Sequence, residues 1–390
     1  LRSGSRLQNQ AGMVFRTQEP IFVDPDQTVH VEAVADPEDV YGEIVGERGN
    51  VPGGVRWDFP GLRPETQRLV YANGQFVAEA DAKVSIFDSA LMFGDMVFEM
   101  TRSFNKKQFM LRQHLERLYR GIRILRIPIG MTIDEMEQAI ARTIEANEPA
   151  FEPHDEHRLM INVSRGPLAM YKAVFDGKIE PTVIIADFPV KWTVASLAHF
   201  FDNGIHCVTP SQRAIPATLM DPKIKNRSRM YLQVANLQVS LLNDPSAMAL
   251  LLDPDGFVTE GTGANFFIVR DGRLLTPEAR NCLRGTRRAY ILDLAQRLGL
   301  PTQETNLELY DVASADEAFF TSTAFSMLPC GKINGLPIGD GKPGPIFARL
   351  IGAWSEEVGV DIIAQTKAFA AEVGSLTSGT SMYRFAKEKP

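Results

Sequence analysis

Three stretches of the chain carry side chains whose types could do chemistry together. Lys223-Ile224-Lys225-Asn226-Arg227-Ser228-Arg229 places four cations within seven residues. Such a run is either the solvated start of a helix or an amine that burial and neighbouring charge keep deprotonated, and therefore nucleophilic toward carbonyls. Phe257-Val258-Thr259-Glu260-Gly261-Thr262-Gly263-Ala264-Asn265, taken alone, is an ordinary strand and turn with Glu260 exposed. Arg117, in His114-Leu115-Glu116-Arg117-Leu118, is by itself a surface ion pair with Glu116 or Gln113 nearby.

These stretches must be positioned by regular elements, and the pattern supplies them from Val70 onward. Asn73-Gly74 between two short apolar runs predicts a hairpin. Leu111, Leu115, Leu118, Ile122 and Leu125 recur at helical spacing, and a second helix opens on the capping box Thr132-x-x-Glu135. Strands are expected near 159–163 and 182–186. Further on, the pattern predicts a strand near 205–209, a helix from about Arg227 to Leu242, and a strand meander over 247–275. A helix near 287–298 stops at Gly299 with Pro301 beyond, and a strand covers 317–321. The expected division is an irregular or surface-wrapped extension over 1–67, a small α/β domain over 68–187 and a linker over 188–196. A larger domain over 197–365 and a tail over 366–390 complete it. Leu1 to Gly12 read as sequence upstream of a start at Met13.

Composition narrows the class. With 390 residues, 44% of them hydrophobic, the chain can build two cores. A net charge of −7 argues against general nucleic-acid binding, so any anionic ligand must be held by local arginines and backbone N–H groups. No run approaches a membrane span and no secretory signal pattern stands at the N-terminus. Three scattered cysteines suggest neither a disulfide framework nor a metal site, and they fit a cytoplasmic protein.

Six motifs in order resemble the fold-type IV pyridoxal-phosphate enzymes. That group holds branched-chain and D-amino acid aminotransferases, (R)-selective amine transaminases and aminodeoxychorismate lyase. The motifs are Phe93-Gly94-Asp95-Met96-Val97-Phe98-Glu99, His114-x-x-Arg117, Ile224-Lys225-Asn226, Val258-Thr259-Glu260-Gly261, Gly285-Thr286-x-Arg288 and Thr321-Ser322-Thr323-Ala324. The resemblance runs from about Val70 to Pro345. It implies a two-domain α/β (α+β) fold with a small α/β domain and a larger one built on a mixed or barrel-like sheet. It also implies pyridoxal 5′-phosphate as cofactor and a homodimer with a shared site.

By that resemblance Lys225 is the Schiff-base lysine and Glu260 the carboxylate beside the pyridine nitrogen. Arg117, the turn at Gly285-Thr286-Arg287, and Thr323 hold the phosphate. Tyr231, six residues after Lys225, is a partner for the cofactor phenolate or a helix-packing residue. Arg287 stands where many branched-chain members have threonine, which leaves the side-chain donor to the phosphate open. Phe98, Arg102, Tyr171 and Ala324 fall where the family lines the substrate. The motif Met170-Tyr171-Lys172 replaces the arginine and histidine of the D-amino acid enzymes, so a transaminase acting on an amino acid and a 2-oxo acid, branched-chain in type, is favoured. A lyase releasing pyruvate, an (R)-amine or D-amino acid transaminase and a non-catalytic cofactor-binding protein are the alternatives.

Overall fold

The computed structural model describes residues 67–373 and three short strands nearer the N-terminus. The chain divides into two compact units, Leu1–Thr66 and Gln67–Pro390. In the first, β1 (Arg6–Gln8), β2 (Val14–Thr17) and β3 (Ala33–Ala35) pair antiparallel in that order. The remainder of the expected extension, and the expected tail beyond Val373, lie outside the described residues.

The second unit opens with the hairpin β4 (Leu69–Ala72) and β5 (Gln75–Ala78). Its turn residues, Asn73 at φ 48° and Gly74 at φ 90°, are both left-handed, as a tight two-residue hairpin requires. The short helix α1 (Ser89–Phe93) leads into β6 (Met96–Phe104) and β7 (Lys107–Gln108). Helices α2 (Leu111–Leu125) and α3 (Ile133–Asn147) follow, then β8 (His157–Ser164) and β9 (Thr182–Pro189). The strands form one six-stranded sheet in the order β5-β4-β9-β8-β6-β7. Leu115, Leu118 and Ile122 of α2, with Met136 and Ile140 of α3, bury against Leu159, Ile161 and Val163 of β8. The capping box at Thr132 and Glu135 forms with both reciprocal hydrogen bonds.

Residues 188–196, expected to connect the domains, instead contain the short helix α4 (Lys191–Val194), with Val190, Lys191, Val194 and Ala195 buried. Lys191 is tied there by ion pairs to Asp155 at 2.7 Å and Glu372 at 2.5 Å. After α5 (Phe200–Asn203) the larger sheet begins with β10 (Ile205–Val208) and helix α6 (Met230–Ser240). Next come β11 (Ala247–Leu252), β12 (Val258–Gly261), β13 (Asn265–Arg270) and β14 (Arg273–Pro277). Then α7 (Thr286–Arg297), β15 (Thr302–Thr305), α8 (Leu309–Ala313), β16 (Glu317–Ser322) and β17 (Ser326–Ile333) complete the core. The strand order is β12-β11-β10-β17-β16-β13-β14-β15, and β12 also pairs with β13. That extra pairing closes β12, β11, β10, β17, β16 and β13 into a barrel, while β14 and β15 extend the sheet beyond β13 and β15 remains its edge.

Helices α9 (Pro345–Val358) and α10 (Ile362–Val373) end the described chain. Helix α10 crosses the expected tail boundary at 366 because Thr366, Phe369 and Val373 are buried. Helix α6 starts at Met230 rather than at Arg227. The Asn226 side chain accepts the Ser228 N–H at 3.0 Å, a local bond that competes with helix formation. No described helix is long and apolar enough to cross a membrane.

Candidate active site

Lys225 lies on an extended segment pinned to the small-domain sheet, not on a solvated helix start. The Phe98 N–H donates to the Lys225 carbonyl at 2.9 Å, and Val97 bridges to Asn226 in the next register position. The Phe98 ring then sits beneath three cations: the Lys225 Nζ at 4.8 Å from its centre, and the guanidinium carbons of Arg227 and Arg229 at 3.6 and 5.1 Å. An aromatic face tolerates such crowding because its quadrupole attracts positive charge. Burial, and next the Arg117 charge, push the Lys225 amine down from 10.5 to about 7. An amine with that value is substantially the free base at neutral pH, as attack on a carbonyl requires.

Glu260 is partly buried, and it sits at the seam that closes the barrel, opposite Asn265. Its Oε1 accepts the Leu283 N–H at 3.1 Å and its Oε2 accepts Asn265 Nδ2 at 3.1 Å. Asn265 Nδ2 also donates to the Leu283 carbonyl at 2.8 Å, so the amide cannot turn without losing that bond. The arrangement needs glycine at 285, where an added Cβ would lie 2.0 Å from Asn265 Oδ1. Burial raises the Glu260 carboxyl, against the opposing pull of Arg229 and of the Leu283 N–H.

Arg117 is not a surface ion pair. Its Nε and Nη2 bind the two oxygens of Glu99, at 2.6 and 2.9 Å, and its Nη1 donates to the Arg284 carbonyl at 3.0 Å. Glu99 is fully buried on β6. Burial alone would raise its carboxyl, yet Arg117 and His114 hold it well below the usual carboxylate range. His114, one helical turn before Arg117 on α2, contacts Glu99 through Nδ1 at 2.9 Å and Thr286 Oγ1 through Nε2 at 3.1 Å. Burial holds its imidazole down at about 4, with Arg287 and Arg117 adding to the effect, so the ring is neutral. With Glu99 ionised, the network assigns the proton to Nδ1 and leaves Nε2 to accept the Thr286 hydroxyl. This chain of bonds fixes the start of α7, where Gly285, Thr286 and Arg287 line a cavity and the free N–H groups of a helix N-terminus favour an anion.

Arg117, Lys225, Glu260, Thr286, Arg287 and Thr323 line one cavity, together with Arg229 and the loop Gly261-Thr262-Gly263-Ala264. Phe98 adjoins it through the Lys225 contact. Tyr231 lines a small adjoining gap that shares Arg229 and Glu260 with this cavity, and it also packs on the cluster around Leu232 and Leu251. Tyr171 stacks on Phe87, ring centres 4.6 Å apart. Arg102 is buried, donating to the carbonyls of Ser103 and Ala324 and to Gln365, so the structure gives it and the Ala324 carbonyl to packing between segments. Sequence reasoning assigned no role to Glu99, His114, Arg229 or Asn265. The spacing of His114 and Arg117, three apart on one helix face, is the signal that could have found the Glu99 network.

Known proteins resemble this chain over most of its described length. The family description "Amino-transferase class IV" matches residues 96–333. A candidate branched-chain-amino-acid aminotransferase of Methanocaldococcus jannaschii is 35% identical over 283 residues, covering 72% of this chain and 93% of that protein. The branched-chain-amino-acid aminotransferase of Escherichia coli K12 is 30% identical, covering 72% and 90%. A solved T.th. branched-chain amino acid aminotransferase, complexed with N-(5′-phosphopyridoxyl)-L-glutamate, superposes with a TM-score of 0.66 at 28% identity, covering 75% of this chain and 94% of that one. With this match extending over most of the barrel and its lysine-bearing segment, the chain belongs to the class IV aminotransferases and is a pyridoxal-phosphate-dependent aminotransferase.

Proposed function

We propose that the chain transfers amino groups between branched-chain amino acids and 2-oxo acids, with Lys225 as the residue that holds the cofactor. The observation that carries the reading is the convergence of a free-base lysine, a part-buried carboxylate and a helix-terminal anion cup on one cavity. The residues fit pyridoxal phosphate: Arg287, whose buried Nε has no hydrogen-bond partner, lines the same cavity as Thr286 and Thr323. Lys225 would hold the aldehyde carbon, Glu260 the ring nitrogen, and Arg117, Thr323 and the N–H groups at Thr286 and Arg287 the phosphate. When bound, the cofactor supplies an aldehyde that condenses with amines and an electron-poor ring that absorbs the electron pair left as a Cα–H bond breaks. Lys225 Nζ takes that proton from the amino acid's Cα, and in the return half-reaction delivers a proton to the Cα of the new amino acid. Glu260, as a carboxylate, favours a proton on a basic nitrogen placed against it, which an amide would do far less well. The buried Phe98 ring packs beneath the Lys225 amine, 4.8 Å from its Nζ.

The branched-chain assignment rests on the relatives' own activities and on Met170-Tyr171-Lys172, which stands where the D-amino acid enzymes have an arginine and a histidine. A panel of L-branched donors, D-amino acids and chiral amines, each with pyruvate or 2-oxoglutarate, tests it through the change in cofactor absorbance. Fast conversion by L-leucine, L-isoleucine or L-valine is the expected outcome, and a preference for D-amino acids or amines sinks it. Cofactor uptake should also follow the lysine. Below pH 7 the rate of incorporation into apoprotein rises about tenfold per pH unit, and above it the rate levels off, because the amine and not the ammonium attacks. An incorporation rate still climbing at pH 9 would show an amine with an ordinary pKa.

The working protein is a homodimer in this reading. Ile86, Leu91 and Phe93, each 66–69% exposed, stand with Leu219 and Met230 as apolar side chains beside the lysine segment, and a second copy would cover them. Its place is the cytoplasm, which suits three free thiols.

A further inference from the structure

Three arginines line the cavity that holds Lys225 and Glu260: Arg117, Arg229 and Arg287. Two of them are engaged by the protein itself. Arg117 grips both oxygens of Glu99 and gives Nη1 to the Arg284 carbonyl. Arg287 turns both terminal nitrogens to the Phe109 carbonyl and lies over the Phe109 ring, a residue that does not line the cavity. Arg102, the arginine expected beside the substrate, donates to the carbonyls of Ser103 and Ala324 and to Gln365. Arg229 differs. Its Nε donates to the Asn226 carbonyl at 2.8 Å, while its Nη1 and Nη2 have no hydrogen-bond or ion-pair partner among the described residues.

The bond to Asn226 ties the inner end of this guanidinium to the lysine segment itself. Its central carbon lies 5.1 Å from the centre of the Phe98 ring, and the Lys225 Nζ lies 4.8 Å from the same centre. Amine and guanidinium therefore flank one ring. Arg229 also borders the adjoining gap with Glu260 and Tyr231. Its charge reaches Glu260 without binding it. Burial raises that carboxyl and Arg229 leads the influences that oppose the rise, yet the two Glu260 oxygens are taken by the Leu283 N–H and Asn265 Nδ2. The free end of a guanidinium is a planar fork that matches the two oxygens of a carboxylate. Amino acids and 2-oxo acids both carry a carboxylate one bond from the carbon that reacts, and plain amines carry none.

We propose that Arg229 receives the carboxylate of the amino acid or 2-oxo acid, and so makes the site select acids over plain amines. This rests on the cofactor site and the reaction proposed above, and it names the residue that reads one half of the substrate. The cofactor's phosphate is a second anion for the same cavity, and the two sources differ in what they predict.

The test compares the holoprotein with its Arg229→Met variant. Calorimetry reads equilibrium binding of 4-methylpentanoate, which is leucine without its amino group, and of 4-methylpentanamide, its neutral amide. The variant is expected to bind the acid about 10- to 100-fold more weakly, the loss of a charged hydrogen bond, and the amide within about twofold of wild type. The ratio of half-reaction rates, L-leucine over 3-methylbutylamine, should fall by a similar factor, because the amine is leucine without its carboxylate. Arg229→Lys, which keeps the charge and loses the fork, should restore part of the acid binding. Equal weakening of acid and amide would mean a packing role and overturn the proposal. So would normal acid binding with a weaker hold on pyridoxal phosphate than on pyridoxal, which would assign the guanidinium to the cofactor's phosphate. Wild-type turnover of L-leucine with an unchanged variant overturns the role of Arg229 alone. A wild-type protein that neither binds the acid nor converts L-leucine overturns the branched-chain reading, and this proposal with it.

Discussion

Replacing Lys225 with alanine is expected to abolish covalent attachment of the cofactor and to lower turnover by at least about 10³-fold. Both losses follow from one amine. It is the nucleophile that captures the aldehyde, and it is the base that moves the proton at the substrate Cα; general acid–base catalysis alone contributes about 10²–10⁴-fold. The fold should survive. The Lys225 backbone, not its side chain, makes the bond to the Phe98 N–H, and burial of an amine that would be an ammonium in the unfolded chain costs the fold stability at neutral pH, so alanine removes a destabilising group. Absorbance in the visible region, single-turnover rates and a melting curve read the three effects separately. A variant that still transaminates at near-normal rate would remove Lys225 from the site, and Lys223 would be the next candidate. The structure disfavours Lys223 beforehand, because its ammonium is paired with Asp221 at 2.7 Å and it does not line the cavity.

The second large effect is expected from Glu260→Gln. Cofactor attachment to Lys225 should persist, while the half-reaction with an amino acid donor slows by about 10²–10³-fold, comparable to removing one preorganised electrostatic contact. The structure adds a local reason. Glutamine brings one acceptor to a place where both the Leu283 N–H and Asn265 Nδ2 now donate. Its amide nitrogen must face one of those donors, and Asn265 cannot turn to help because it also serves the Leu283 carbonyl. Rapid-mixing measurement of the single half-reaction isolates this step from binding of the second substrate. A half-reaction as fast as wild type would show that no proton on the ring nitrogen depends on this carboxylate.

Much of this protein was legible from local pattern. The Asn73-Gly74 hairpin, the capping box at Thr132, the stop at Gly299 and the apolar faces of α2 and α3 follow from steric and hydrogen-bond rules that act over a few residues. The start of α6 did not, because Asn226 diverts the backbone through a side-chain bond and a strand from the other sheet captures Lys225 and Asn226. Nothing in a seven-residue basic run states that its lysine will be pinned to Phe98, more than a hundred residues earlier.

The sequence by itself determined which side chains are present and in what order, and so that Lys225, Glu260 and Arg117 could serve one chemistry. Only the tertiary structure decided what each became. Burial and the Arg117 charge set the Lys225 amine near neutrality, and closure of the barrel at Glu260 and Asn265 placed the carboxylate. Glu99 took up the charge of Arg117, while Arg287 was left buried without a counter-charge. The reason is physical: a side chain's type is local, but its ionisation and its partners depend on charges and dielectric surroundings contributed by segments far apart in the chain.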